Sequence, residues 1–301
     1  MHYTVSLNCK TKYNYNSVEE IPFVKGLNAG FKAQSKLRTI NRDETLAVKS
    51  FIRDIEADAH FGDFTDLTVD VVIVINKNNP QKNLWKMYYQ DGVETTLYDI
   101  NVLSLDYNEL YNEGLNSIND VMENYKPITT RGYSTYDRFA ARDYARKYSS
   151  NPTAWACYDC GKNCGNKQDR TAWNNDEYKY FDIFKHSDCA DFVSQAMSAG
   201  GLKESGEWYR KKNVTTKSWG TAWTTVKGLK TYMTNSSRNY WDVSSFAKCN
   251  AGNILLTSDS HVVMVDFNDG TTHKFTGHTN DRKSYVFGNV STYKYYVINR
   301  S

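Results

Sequence analysis

Ser187-Asp188-Cys189-Ala190-Asp191-Phe192-Val193-Ser194-Gln195-Ala196-Met197, closing at Gly200-Gly201, is the stretch on which the fold turns. Cys189, Phe192, Val193, Ala196, Met197 and Gly200 recur at i, i+3, i+4 and i+7, which predicts a helix with a buried face. Asp188 stands where an N-cap belongs and Gly200-Gly201 where a helix stops. A cysteine therefore sits in the first helical turn. There the positive end of the helix dipole and spare backbone N–H groups favour thiolate over thiol. The same N–H groups, that of Cys189 first among them, are placed to hold an oxyanion. A buried cysteine that only packs fits the pattern equally well, so a catalytic reading needs partners from elsewhere.

Cysteine catalysis needs an imidazole to take and return the thiol proton, and a polar group to orient that imidazole. Asp259-Ser260-His261-Val262-Val263-Met264-Val265 offers His261 at the start of an apolar strand. In period-two alternation it shares a face with Val263 and Val265. The alternative is a half-buried strand-end histidine bonded to backbone. Asn268-Asp269-Gly270 predicts a hairpin that returns the next strand beside His261. The third group then falls in Gly277-His278-Thr279-Asn280-Asp281, with His278 as first choice and Asp281 as second. His273 is read as mid-strand and solvent-facing. No G-x-S-x-G elbow supports a serine nucleophile.

The wider composition narrows the classes. At 301 residues the chain holds one large or two ordinary domains. A net charge of +3 is too small to argue for nucleic acid. No apolar run reaches the length of a membrane span. The segment Met1 to Cys9 lacks a basic region followed by an apolar one, so no signal peptide is visible. The 23 tyrosines and 7 tryptophans suit polar, wet ligands such as glycans or peptides. Of the six cysteines, Cys157, Cys160 and Cys164 lie in one Gly/Asn/Asp-rich loop. They are read as disulfide-forming or free thiols. Zinc is the weaker alternative, with Cys249 or His186 as fourth ligand, because no second C-x-x-C pair exists.

Two halves are visible. Residues 1–126 read as a small α+β domain. It has a helix capped by Asp43 and striped by Leu46, Val48, Phe51, Ile52, Ile55 and Ala59. A strand over Leu67 to Ile75 follows, then a hairpin centred on Asp91-Gly92 and a helix over about 106 to 125 carrying Leu110, Leu115, Ile118, Val121 and Met122. Lys126 to Gly132 reads as a linker. Residues 133–301 begin with a helix over about Asp137 to Tyr148, with Tyr136, Ala140, Tyr144 and Tyr148 on one face. The cysteine loop, the Cys189 helix and a Trp-rich helical stretch around Trp219 and Trp223 follow. Strands come last, at Ile254 to Thr257, His261 to Phe267, Thr272 to Thr276 and Tyr293 to Asn299. Helices followed by strands predict an α+β fold with an antiparallel sheet.

These pieces resemble, in order, the putative amidase domains of bacteria, cysteine hydrolases in the wider papain-like and NlpC/P60-like group. Tyr136-Asp137-Arg138-Phe139-Ala140-Ala141 with Tyr144-Ala145 matches the opening helix, and Asp188 to Gln195 with Gly200-Gly201 the nucleophile helix. Ser218-Trp219 matches a Ser-Trp element, Ser260-His261-Val262-Val263 the histidine strand, and Gly277-His278-Thr279-Asn280-Asp281 a closing His-Thr element. The resemblance spans about residues 133–300. It implies a papain-like core with Cys189 as nucleophile, His261 as base and His278 fixing its tautomer. Asp188, Gln195 and Asp281 are implied as oxyanion or support residues and Trp219 as a substrate contact. It implies no cofactor, a peptide or peptidoglycan-like substrate, and a secreted or cell-envelope location. A catalytically idle glycan- or peptide-binding module on the same fold is the alternative. Three departures stand out, one of them a cysteine-rich loop, 155–180, longer than the family leads one to expect. Asn253 replaces the aspartate usual after Gly252, which bears on a turn. Asp191 replaces the usual Asn or Thr, and its carboxylate would oppose thiolate formation unless it faces solvent.

Overall fold

The computed structural model describes residues 2–12, 14–59, 61–75, 78–79, 84–91, 94–99, 107–124, 136–152, 168–179, 187–214, 218–235, 240–288 and 290–298. His60, His186, the linker at 126–132 and the loop with Cys157, Cys160 and Cys164 lie outside them. The first half contains β1 (His2–Lys12), α1 (Pro22–Leu37), α2 (Arg42–Asp58), β2 (Phe64–Val74), β3 (Leu84–Asp91), β4 (Glu94–Asp99) and α3 (Tyr107–Asn124). The four strands form an antiparallel sheet in chain order. Neither β1 nor α1 is expected from the sequence patterns. Asp91 pairs with Glu94, so the hairpin is centred one residue later than Asp91-Gly92 predicts. α2 is capped by Asn41 rather than Asp43: the Asn41 side chain accepts from Glu44 N at 2.9 Å, and Glu44 reaches back to Asn41 N at 2.8 Å. Val48, Phe51 and Ile55 are buried with Phe23, Leu27 and Ile118, while Leu115 is exposed.

The second half contains α4 (Arg138–Lys147), α5 (Cys189–Ala199), α6 (Thr221–Thr224), α7 (Val226–Met233), β5 (Trp241–Ser244), β6 (Ile254–Ser258), β7 (His261–Asn268), β8 (His273–Gly277), β9 (Arg282–Phe287) and β10 (Lys294–Ile298). Its six strands form one antiparallel sheet, β5-β10-β6-β7-β8-β9. Thus α+β with helices before an antiparallel sheet is observed, with β5 and β9 added to the expected strands.

The sheet is buried on both faces. Ile254, Leu256, Val262 and Met264 join α5 in one core. Leu255, Val263 and Val265 join Phe246, Phe275 and Phe287 in another. Strand alternation therefore gives β7 two apolar faces. α5 is buried all round over its first nine residues, Cys189 to Met197, rather than along one stripe. Gly200 lets α4 start against its C-terminal end: a Cβ there would lie 2.8 Å from the Asp137 carbonyl oxygen. Asp137 N–H donates to Gly200 O at 2.7 Å, and the Asp137 side chain caps α4 through Ala140 N at 2.9 Å.

The halves meet along α4. Arg138, Arg142 and Arg146, four residues apart, pair with Asp54 and Asp58 of α2 and with Asp266 of β7. Asp58 also accepts from Asn268 N at 3.1 Å, at the β7–β8 hairpin. Ala247 completes the apolar cluster of α1, α2 and α3.

Candidate active site

The N-terminus of α5 and the ends of β7 and β8 converge on Cys189. Its Sγ lies 3.9 Å from the Ser260 carbonyl oxygen, which belongs to the peptide leading into His261. Cys189 and His261 are each 2% exposed. In β7 alternation His261 has the parity of Val263 and Val265, while Val262 and Met264 face α5. The start of the strand approaches the helix through the Ser260 carbonyl, while His261 has the parity of the face away from α5.

The hairpin brings the residues after β8 to the same place, as its pattern predicts. Met264 pairs with Thr276, and a Cβ on Gly277 would fall 2.5 Å from Val263 Cγ1. The next two residues both grip the start of α5. Thr279 Oγ1 accepts from Asp188 N at 2.9 Å and from Cys189 N at 3.1 Å. To do so Thr279 adopts φ 83°, a left-handed conformation costly for a β-branched residue. The Cys189 N–H expected to serve an oxyanion is thus held by a threonine hydroxyl.

His278 is likewise held by other groups. Its Nδ1 lies 2.8 Å from Asp188 Oδ2 and its Nε2 2.7 Å from the Tyr148 carbonyl oxygen. With both ring nitrogens engaged, His278 does not supply the hydrogen bond that would orient His261. Its ring lies between Trp173 and Phe192, with centroids at 4.5 and 3.7 Å. Asp188, for its part, stands at the N-cap position but makes no side-chain cap bond. Asp281 is buried, and its Oδ2 accepts from Trp173 Nε1 at 2.9 Å and Asp169 N at 2.8 Å. It thus supports the wall behind His278. His273 is buried, not solvent-facing. It packs on Phe246 with centroids 3.9 Å apart, and burial pushes its pKa down to about 3.

The expected conflict at Asp191 is resolved without solvent. Asp191 is 1% exposed and pairs with the buried Arg210 guanidinium. Gln195 Nε2 donates to the same carboxylate oxygen at 2.6 Å, Tyr144 OH donates to Gln195 Oε1 at 2.8 Å, and Asn174 Nδ2 donates to Tyr144 OH at 2.9 Å. Burial first, then the nearby Asp188 carboxylate, raise Asp191 to about 7, against the opposing effect of Arg210 and Gln195. Gln195 is therefore a strut one turn from Asp191, two turns from Cys189. Ser194 accepts from Trp208 Nε1 at 2.9 Å and donates to Trp223 O at 3.0 Å. Together these bonds account for the Ser-Gln pair of the helix motif. Trp219 is half-buried on a bridge to Arg210. Asn253 acts in the turn, accepting from Ile298 N at 3.3 Å.

Cys249 is buried and burial pushes its thiol up, so it is inert beside a helix-terminal cysteine. Among the described residues no cluster of three His, Cys, Asp or Glu is arranged to hold a metal ion. No helix among them is long and apolar enough to cross a membrane.

A buried helix-terminal thiol against the ends of two antiparallel strands is a cysteine-centred site on an α+β scaffold. The chain belongs to the putative amidase domain family, whose model matches residues 135–299. The match contains every described element of the site. No curated protein and no solved structure matches the chain significantly.

Proposed function

We propose that this protein is a cysteine-dependent amidohydrolase with a papain-like arrangement of its catalytic groups. Cys189 gives its proton to His261 and attacks the amide carbonyl carbon through sulfur. The C–N bond breaks as the imidazolium returns that proton to the leaving amine, and water then hydrolyses the thioester to release the acid and the thiol. The observation that carries this reading is the approach of the Cys189 thiol, at the N-terminus of α5, to the Ser260–His261 peptide at the start of β7, inside a stretch that belongs to an amidase family. With the Cys189 N–H on Thr279, that donor serves the oxyanion only when the hydroxyl moves aside. The proposed substrate is an amide bond in cell-wall peptide or a related polymer, supported by the sequence resemblance and by a Trp/Tyr-rich composition suited to polar chains.

Cys189→Ala and His261→Ala are each expected to abolish release of amine from peptidoglycan peptide fragments while leaving the fold intact. Wild-type turnover in either variant would end the mechanism. One observation favours an idle binding module instead, namely the burial of Cys189. A Cys189 thiol no faster toward iodoacetamide than free cysteine, together with retained peptide binding, would favour that module.

A further inference from the structure

Two carboxylates bracket the nucleophile within one helical turn, Asp188 before it and Asp191 after it. Each is buried, and a negative charge at either position would work against a thiolate. Asp191 has the Arg210 guanidinium. Asp188 has His278, and here the hydrogen bonds count protons. Both groups that His278 meets are acceptors, the Asp188 carboxylate at Nδ1 and the Tyr148 carbonyl at Nε2. A neutral imidazole has one N–H and would leave two acceptors facing each other at 2.7 or 2.8 Å. Two contacts of that length need two protons.

We infer that Asp188 and His278 jointly keep one proton more than a carboxylate and a neutral imidazole would. The pair then carries no net charge, and His278 serves as a positioning residue that shields Cys189 from the Asp188 charge. Nε2–H donates to Tyr148, and the second proton lies in the Nδ1–Oδ2 contact. The inference rests on Cys189 being the nucleophile, yet it concerns the state of its thiol and not the cleavage. Burial between Trp173 and Phe192 is the largest effect on the ring and pushes its pKa down, opposing a free imidazolium, while the other charges facing it, Asp281 and Asp191, favour a retained proton. This opposition draws the second proton toward Asp188 without removing it from the pair.

The test is the pH profile of Cys189 alkylation by iodoacetamide. In His278→Gln, Asp188 loses its compensating proton, and the profile should move to higher pH. The rate at neutral pH should fall about tenfold for every pH unit that the profile moves. The double variant Asp188→Asn/His278→Gln should return the profile to the wild-type position, since no charge is left to shield. An unmoved profile in the single variant, or no return in the double variant, overturns the inference; a purely structural role for His278 predicts no such return. Should the variants fail to fold, the imidazole nitrogen and hydrogen-bonded proton resonances of the wild-type protein decide it. Nε2–H with a strongly deshielded proton at Nδ1 near neutral pH is expected. A single ring proton with no proton in the Asp188 contact overturns it. Wild-type hydrolysis by Cys189→Ala would end the amidase mechanism without touching this result.

Discussion

Thr279 shows how much one side chain can hold. Its hydroxyl accepts from two backbone N–H groups at the start of α5, those of Asp188 and Cys189, and it does so from a strained backbone. Replacing a capping hydroxyl typically costs ~1 kcal/mol. Thr279→Val should therefore lower the urea midpoint by an amount of that order, with Thr279→Ser close to wild type. Equal stability of the two variants would show that the hydroxyl is not a cap. Asp58 makes a second argument at this scale. Burial raises its pKa to about 6, above the unfolded value near 3.9. The native state then binds more protons than the unfolded chain between these values. Its contribution to stability is full below about pH 4 and lost as pH rises through about 6. Asp58→Asn should show a smaller fall in unfolding free energy from pH 4 to pH 7 than wild type; an equal fall in urea titrations would remove Asp58 as the cause.

At the scale of elements, α4 and α5 are positioned by a close backbone approach at Gly200 as well as by the Tyr144–Gln195 bond. Gly200 sits against Tyr136 and the Asp137 carbonyl with no room for a methyl group. Gly200→Ala should destabilise by ~1–3 kcal/mol through overpacking, read as a lower thermal midpoint. It should also slow hydrolysis, because the Tyr148 carbonyl that meets His278 lies at the end of α4. Unchanged stability would mean the helices part without cost.

Across the whole molecule, the arginine ladder of α4 ties the N-terminal helices to the sheet that carries the site. Arg138 and Asp54 are both largely buried. Removing one partner of such a pair typically costs ~3–5 kcal/mol, because the other charge stays buried. Arg138→Ala should lose stability on that scale, and Arg138→Ala/Asp54→Ala should recover part of it. Additive losses in a double-mutant cycle would show that the pair is not coupled. Residues 1–126 are expected from their element order to form a separable unit. The ladder and the Asp58 contact to the β7–β8 hairpin predict that a fragment from residue 133 onward unfolds at lower temperature than the full chain.

The sequence by itself determined the local elements that carry chemistry. The apolar period marked α5 and put Cys189 at its start, short apolar runs marked β6 and β7, and Asn268-Asp269-Gly270 marked the hairpin that returns His278 and Thr279. These signals are readable because they are local: a helical period, a strand run and a turn need only neighbours in the chain. Tertiary structure decided what each polar group faces. His278 was aimed by pattern at His261, but the fold gives its nitrogens to Asp188 and Tyr148, 90 and 130 residues away. Asp191 reads as a liability until Arg210, 19 residues on, folds against it. Thr279 at positive φ leaves no sequence signal, and the four-residue spacing of the α4 arginines does not say which aspartates they will meet. Hydrogen bonds and buried charges are short-ranged and directional, so they are set by which distant segments come within about 3 Å, and no one-dimensional pattern encodes that.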